Sequence, residues 1–227
     1  MPIIETSRLI LRRWADEDAE SLFRYAKDPA VGPAAGWPPH TSVKNSLEII
    51  RTVFSEPETY AIVLKSTAEP IGAIGIVSDA NRYPEGEAEI GYWMGKTHWG
   101  NGYMTEAAKA LVEHGFNNLG LSCLWISHFD GNLRSRRVAE KCGSTYDHSG
   151  NEAITDNTTL SNATSPQIIH FLKLSSEAWQ KQAYPHGQRG IGLAKTSLPP
   201  WPEGDTDHPL NPHHPPFQAI PILLKLE

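Results

Sequence analysis

Cysteine is scarce in this chain. Cys123 and Cys142 are the only two in 227 residues, too few for a disulfide framework, which favours a reducing, intracellular setting. Positive charge is also short: 20 Lys and Arg stand against 26 Asp and Glu, a net charge of −6. That balance argues against nucleic-acid binding and is compatible with a cationic amine as partner. No run of about 18 or more apolar residues occurs, so no membrane span is expected. The opening Met-Pro-Ile-Ile-Glu has neither the basic nor the apolar region of a signal peptide, and a cytoplasmic location is expected. In that setting the N-glycosylation patterns at Asn157 and Asn162 read as chance matches in a polar loop. No internal repeat is found. What is present is an ordinary globular composition, 39% hydrophobic and 20% charged, in a chain long enough for one domain with a full core.

The most informative stretch is Thr97-His-Trp-Gly-Asn-Gly-Tyr-Met-Thr105. It follows a strand-like run, Glu87 to Met94, and opens a helix-like run, Thr105 to Phe116. Glycines let backbone approach a phosphate without Cβ clashes. The free N–H groups of a helix's first turn then point at the anion. Two familiar phosphate loops are excluded. The dinucleotide fingerprint needs a third glycine, and Thr105 stands in its place, which removes a nicotinamide-dependent oxidoreductase from consideration. The Gly-Lys-Ser/Thr ending of a P-loop is absent.

What remains resembles the pyrophosphate loop of the GNAT acetyltransferases, usually Gln/Arg-x-x-Gly-x-Gly/Ala, and most closely their RimJ/RimL-like branch. Members of that branch often show Glu-Ile-Gly-Tyr-Trp, then Trp-Gly-x-Gly-Tyr, then Thr-Glu-Ala. Here these are Glu89 to Trp93, Trp99 to Tyr103 and Thr105 to Ala107. Thr97 departs from the pattern, standing where Gln or Arg is usual. A second block, Asn132-Leu-Arg-Ser135 through Lys141-Cys-Gly143, matches the branch's Asn-x-x-Ser-x-x-x-x-x-Lys-x-Gly. The resemblance covers roughly residues 4 to 175.

The order of elements fits it. A strand is expected over Leu9–Trp14. A helix capped by Asp16 or Asp18 and a second helix over Val43–Phe54 follow it. Strands come next over Tyr60–Leu64, Ile71–Val77 and Glu87–Met94. After the loop helix come a strand over Cys123–Phe129, a helix over 134–142 and a strand over Ile168–Leu174. The expected fold class is α/β: a GNAT-like mixed, mainly antiparallel sheet with helices on both faces. Residues 1–182 form the acetyltransferase-like domain. Residues 183–227, with nine of the 18 prolines and four of the ten histidines, form a Pro/His-rich irregular extension. Its apolar ending suggests docking on this domain or on a second copy, a homodimer. His208, His213 and His214 with Asp205 and Asp207 have no recognised metal spacing, so no metal is expected.

The resemblance implies acetyl-CoA as co-substrate. Its pyrophosphate would meet the N–H groups of His98, Trp99, Gly100, Asn101, Gly102, Tyr103 and Met104, with the Thr105 hydroxyl adding a contact. Its pantetheine would pair with the edge of Tyr92, Trp93 and Met94 like an added strand. Gly91 would mark a bulge that opens room for the thioester. Glu89 is the candidate base, and Glu87 shares its strand face; both also fit plain solvent-facing strand residues. Ser135 is the candidate donor to the departing thiolate, or a helix cap. Asn132 would contact pantetheine and open the helix. Arg136, Arg137 and Lys141 fit either the adenosine 3′-phosphate or a solvated helix face. Cys142 reads as structural. Trp37, between Gly36 and Pro38, would shape the amine pocket or pack its loop. The implied activity is acetyl transfer to a primary amine, on a protein N-terminus or a small molecule, by direct attack in a ternary complex. A non-catalytic acyl-CoA-binding module is the alternative.

Overall fold

A computed structural model describes residues 1–152 and 167–184. The extension from residue 185 onward, with its histidines and apolar ending, lies outside the described residues, as do Asn157 and Asn162.

Eight strands form one sheet: β1 (Ile4–Glu5), β2 (Leu9–Arg12), β3 (Thr59–Leu64), β4 (Glu69–Val77), β5 (Glu87–Met94), β6 (Cys123–Phe129), β7 (Thr145–Glu152) and β8 (Gln167–Ser175). They lie in the order β1-β2-β3-β4-β5-β6-β8-β7. Neighbours are antiparallel except β5 and β6. A parallel pair needs a crossover, and helix α3 (Tyr103–Asn117) supplies it. The remaining helices are α1 (Ala19–Ala26), α2 (Val43–Thr52), α4 (Leu133–Lys141) and α5 (Ser176–Ala183). The mixed, mainly antiparallel sheet expected from the sequence is the sheet that forms. Among the described residues no helix is long and apolar enough to cross a membrane.

The sheet separates two apolar clusters. On one face Met104, Ala108 and Leu111 of α3 pack on Ile74, Ile90 and Met94. On the other, Leu22 of α1 and Ile49 and Ile50 of α2 pack with Trp37, Ala73 and Trp93. Side chains alternate along a strand. Tyr92 and Met94 of β5 therefore face α3, while Glu89, Gly91 and Trp93 face α1 and α2.

Some expectations need correction. Asp18 does not cap α1. Its carboxylate turns back to accept from Arg12 at 2.7 and 2.9 Å and from the Ala15 N–H at 2.9 Å. The expected bulge at Gly91 is absent: β4 and β5 stay in register through Gly75 opposite Gly91. The room appears on the other side, where β5 and β6 pair only from Glu87 to Glu89 and then part. Three elements were not anticipated: β1, a two-residue strand at Ile4–Glu5, and the two that follow. β7 is a polar edge strand with no apolar alternation to read. α5 is short, capped by the Ser175 hydroxyl accepting from the Ala178 N–H at 3.1 Å, and held by Trp179 against Phe116 with ring centroids 5.3 Å apart.

α3 begins two residues before its expected start, because Gly102 takes φ +79° as its cap. Its first turn is tied to the chain's start by Glu106. That carboxylate accepts from the Thr6 hydroxyl at 2.6 Å, the Ser7 hydroxyl at 2.9 Å and the Arg8 N–H at 2.8 Å, and pairs with the Arg8 guanidinium at 2.7 Å. Burial alone would raise the carboxyl, but these hydrogen bonds outweigh it and bring its pKa down to about 2. The folded value lies below the unfolded one, so the contribution is complete above the unfolded pKa and is lost as pH falls toward 2. Arg8 is 46% exposed, so solvent screening reduces the effect to about 1–2 kcal/mol. Urea unfolding of Glu106→Gln should show that deficit at pH 7, and the deficit should shrink steadily below about pH 4.

Candidate active site

Where β5 and β6 part, a cavity of about 70 Å³ opens through the sheet. Glu89, Tyr92, Ser127, His128, Asn132 and Ser135 supply its polar lining, and Ala34, Ala35 and Phe129 close it from one side. Glu89 and Ser135 thus meet one cavity from opposite faces of β5. A small group entering between the strands would have a carboxylate on one side and a hydroxyl on the other.

Glu89 is buried, at 1% exposure, which excludes the solvent-facing reading. Burying a carboxylate is costly unless it is paired, and the neighbours meet that need. The Tyr83 hydroxyl donates at 2.7 Å, the Ser127 hydroxyl donates to the other oxygen, and the Arg82 guanidinium lies 4.0 Å away. Glu87 has a different partner, the Trp125 indole N–H at 2.6 Å, and Trp125 stacks on Tyr83. The two carboxylates therefore serve separate networks. Tyr83, Arg82 and Ser127 carried no signal in the sequence, since a loop and a second strand bring them in.

Across the cavity the Tyr92 hydroxyl lies 2.9 Å from the Ser135 hydroxyl and 3.2 Å from the Ser135 carbonyl. Burial lifts the Tyr92 phenol above its ordinary range, so it stays protonated and can donate. Asn132 caps α4 by accepting from the Ser135 N–H at 3.2 Å. Its amide nitrogen donates to the Ala34 carbonyl at 3.3 Å, which ties the 33–35 turn to α4. Each end of that side chain makes one bond within the protein, which leaves a second N–H and a second oxygen lone pair for a pantetheine contact.

The glycine loop lies at the cavity's α3 side. Gly100 and Gly102 both take φ +79°, the left-handed region that glycine alone enters freely. A Cβ built on Gly100 would meet nothing within 4 Å, so backbone is open there to an anion. The cradle is narrower than expected. The His98 and Trp99 N–H groups are used in a 3₁₀ turn, on Gly95 at 2.9 Å and Lys96 at 3.2 Å. Their rings are also engaged, His98 with the Tyr25 hydroxyl at 3.0 Å and Trp99 with the Met94 carbonyl at 2.7 Å. The first helical bond of α3 runs from the Glu106 N–H to the Gly102 carbonyl at 3.0 Å. The N–H groups of Tyr103, Met104 and Thr105 are therefore without intrahelical partners. Asn101 turns its side chain back onto the His98 and Trp99 carbonyls at 3.2 and 3.3 Å, which stiffens the loop.

Other candidates are placed elsewhere. Arg136 pairs with Glu140 at 2.8 Å, while Arg137 and Lys141 are exposed. Cys142 is buried, which pushes its thiol up to about 12, so thiolate chemistry is not available to it. Trp37 packs beneath the cavity rather than lining it, 5% exposed and edge-on to Trp93. Among the described residues no group of three metal-ligating side chains occurs.

Comparison with known proteins agrees with this geometry. Residues 8–145 match the family described as acetyltransferase (GNAT) domain. An uncharacterized N-acetyltransferase of Bacillus subtilis, YoaA, is 35% identical over 63% of this chain and 82% of its own length. A structure from Vibrio cholerae, described as a putative ribosomal-protein-serine acetyltransferase, shares 24% identity and superposes with a TM-score of 0.61, covering 77% of this chain and 97% of its own. The microcin C7 self-immunity acetyltransferase MccE, solved with acetyl-CoA and AMP, shares 20% identity and a TM-score of 0.59 over 75% of this chain and 93% of its own. With the matched residues covering more than half its length, the chain belongs to the GNAT acetyltransferase family and so to the acyl-CoA-dependent N-acetyltransferases.

Proposed function

We propose that the chain moves an acetyl group from acetyl-CoA to a primary amine by direct attack in a ternary complex. The observation that carries this reading is the cavity between β5 and β6, with buried Glu89 on one face and Ser135 on the other. The amine enters between the parted strands β5 and β6, beside Glu89. As an ammonium it loses a proton to Glu89. Its lone pair then attacks the thioester carbonyl and the C–S bond breaks; the departing thiolate, hydrogen-bonded by the Ser135 hydroxyl with Tyr92 donating to Ser135, takes the second proton of the new amide nitrogen. The open amides from Gly100 to Thr105 suit the pyrophosphate. The unpaired side of Tyr92 to Met94 suits the pantetheine amides. A fold neighbour described with acetyl-CoA supports the choice of co-substrate. The acceptor is a small-molecule amine or a peptide N-terminus.

Calorimetric titration with acetyl-CoA, with NADH as control, tests the reading directly. Saturable binding of acetyl-CoA alone is expected, followed by acetylated product in a screen of amines. A folded protein that binds neither would require the reading to be withdrawn.

A further inference from the structure

We infer that Arg134 supplies the positive charge that holds the cofactor's pyrophosphate, an assignment that rests on the acetyl-CoA reading above. From Thr97 to Thr105 the loop contains one ionisable cation, His98. Its ring is committed to the Tyr25 hydroxyl at 3.0 Å, and burial lowers its pKa, only partly offset by Glu69. At neutral pH the loop therefore offers amide dipoles without a full charge. A pyrophosphate brings two negative charges, and dipoles alone balance only a part of them.

Two guanidinium groups stand against this loop. Arg8 donates to the Asn101 carbonyl at 3.1 Å and lies 4.5 Å over the Tyr103 ring. Its charge is already matched by Glu106 at 2.7 Å. Arg134, on the first turn of α4, has its Cζ 4.6 Å over the ring of Trp99, the residue that leads into Gly100. Among the described residues no carboxylate lies within ion-pair distance of Arg134, whereas Arg136 two residues on is paired with Glu140.

The stacking has a chemical consequence. Trp99 is fixed by its own bond to the Met94 carbonyl at 2.7 Å. A guanidinium whose Cζ lies 4.6 Å over that ring is attracted to its face, and its N–H donors lie in the plane of the group. That is the arrangement that grips a phosphate with two parallel hydrogen bonds. Arg134 thus touches the glycine loop through Trp99, and the next residue, Ser135, lines the cavity.

Three probes separate this role from its rivals: acetyl-CoA, acetyl-3′-dephospho-CoA and S-acetylpantetheine, each titrated into full-length wild type, Arg134→Ala and Arg134→Gln. Both variants should bind the first two probes about tenfold more weakly than wild type at low salt, with a shallower salt dependence. S-acetylpantetheine, which lacks the pyrophosphate, should bind all three proteins alike. Arg134→Lys should recover only part of the loss, since an ammonium neither stacks nor forks. Unchanged acetyl-CoA affinity would overturn the assignment. An equal loss for S-acetylpantetheine would overturn it by making Arg134 a support for α4. A loss seen with acetyl-CoA and absent with the dephospho probe would overturn it in favour of the 3′-phosphate. If wild type itself ignores acetyl-CoA, the functional reading fails and this assignment with it; if wild type binds and the variants match it, only this assignment fails.

Discussion

Glu89→Gln should lower kcat by about 10²–10⁴ while leaving acetyl-CoA affinity within about twofold of wild type. The substitution keeps the shape of the side chain and removes its capacity to take a proton. Among the described residues Glu89 is the only carboxylate lining the cavity, so no described neighbour of the same kind can replace it. Its partners would still find hydrogen bonds, since an amide oxygen can accept from Tyr83 and an amide N–H can donate to the Ser127 hydroxyl. The buried Arg82 guanidinium, 4.0 Å from Glu89, would lose that counter-charge, so some stability should be lost, and turnover is compared on protein shown to be folded by circular dichroism. A calorimetric Kd measured beside steady-state turnover decides the matter. Turnover within about threefold of wild type would show that the base lies elsewhere. A chain that binds acetyl-CoA but acetylates no amine even as wild type would favour a non-catalytic acyl-CoA module.

Trp37→Ala should cost about 3–5 kcal/mol of stability, because a large side chain is removed from a packed site. The indole is 5% exposed, its ring centroid is 5.7 Å from Trp93 and 5.1 Å from His40, and a Cβ on Gly32 would come within 2.6 Å of its backbone. Trp37→Phe should cost far less, since the indole N–H is buried without a hydrogen-bond partner among the described residues and no bond is lost. Urea unfolding of both variants distinguishes a core residue from an acceptor contact. A Trp37→Ala protein of wild-type stability with a raised KM for the amine would sink the core assignment.

These two residues also mark what could be read from the sequence. The central strands were legible as short apolar runs bounded by turn residues, as at Ile71–Val77, and α3 through the helical spacing of Met104, Ala108 and Leu111. Glu89 and Ser135 were legible as candidates through their motifs, and the structure brings both to one cavity. The partners of Glu89 were not legible. Tyr83 and Arg82 sit in a loop without a pattern, and Ser127 is one polar residue on a mainly apolar strand, so only the folded chain aligns them. The opening in the sheet was expected from a bulge at Gly91. It arises instead because β6 leaves β5 after Glu89, a matter of strand direction that no single residue encodes. Trp37 was left between shaping the amine pocket and packing its loop, because the sequence places the loop by resemblance and does not say where the ring points; the folded chain buries it against Trp93 and His40. Arg134 was passed over within a basic run, because sequence alone does not say which arginine of such a run meets a carboxylate and which meets an aromatic ring.

The parting of β5 from β6 has a further consequence. A sheet is held by its ladder of hydrogen bonds, and here the ladder stops at the middle of the molecule. Beyond Glu89 the backbone groups of β5 that point toward β6 have no strand to meet, apart from the Met94 carbonyl taken by Trp99. A ligand that lies along this edge satisfies those groups in the folded chain and has nothing comparable to satisfy in the unfolded one. Recognition and resistance to unfolding are then the same free energy seen from two directions. A ligand along this edge would therefore stabilise the chain against heat in proportion to how tightly it binds.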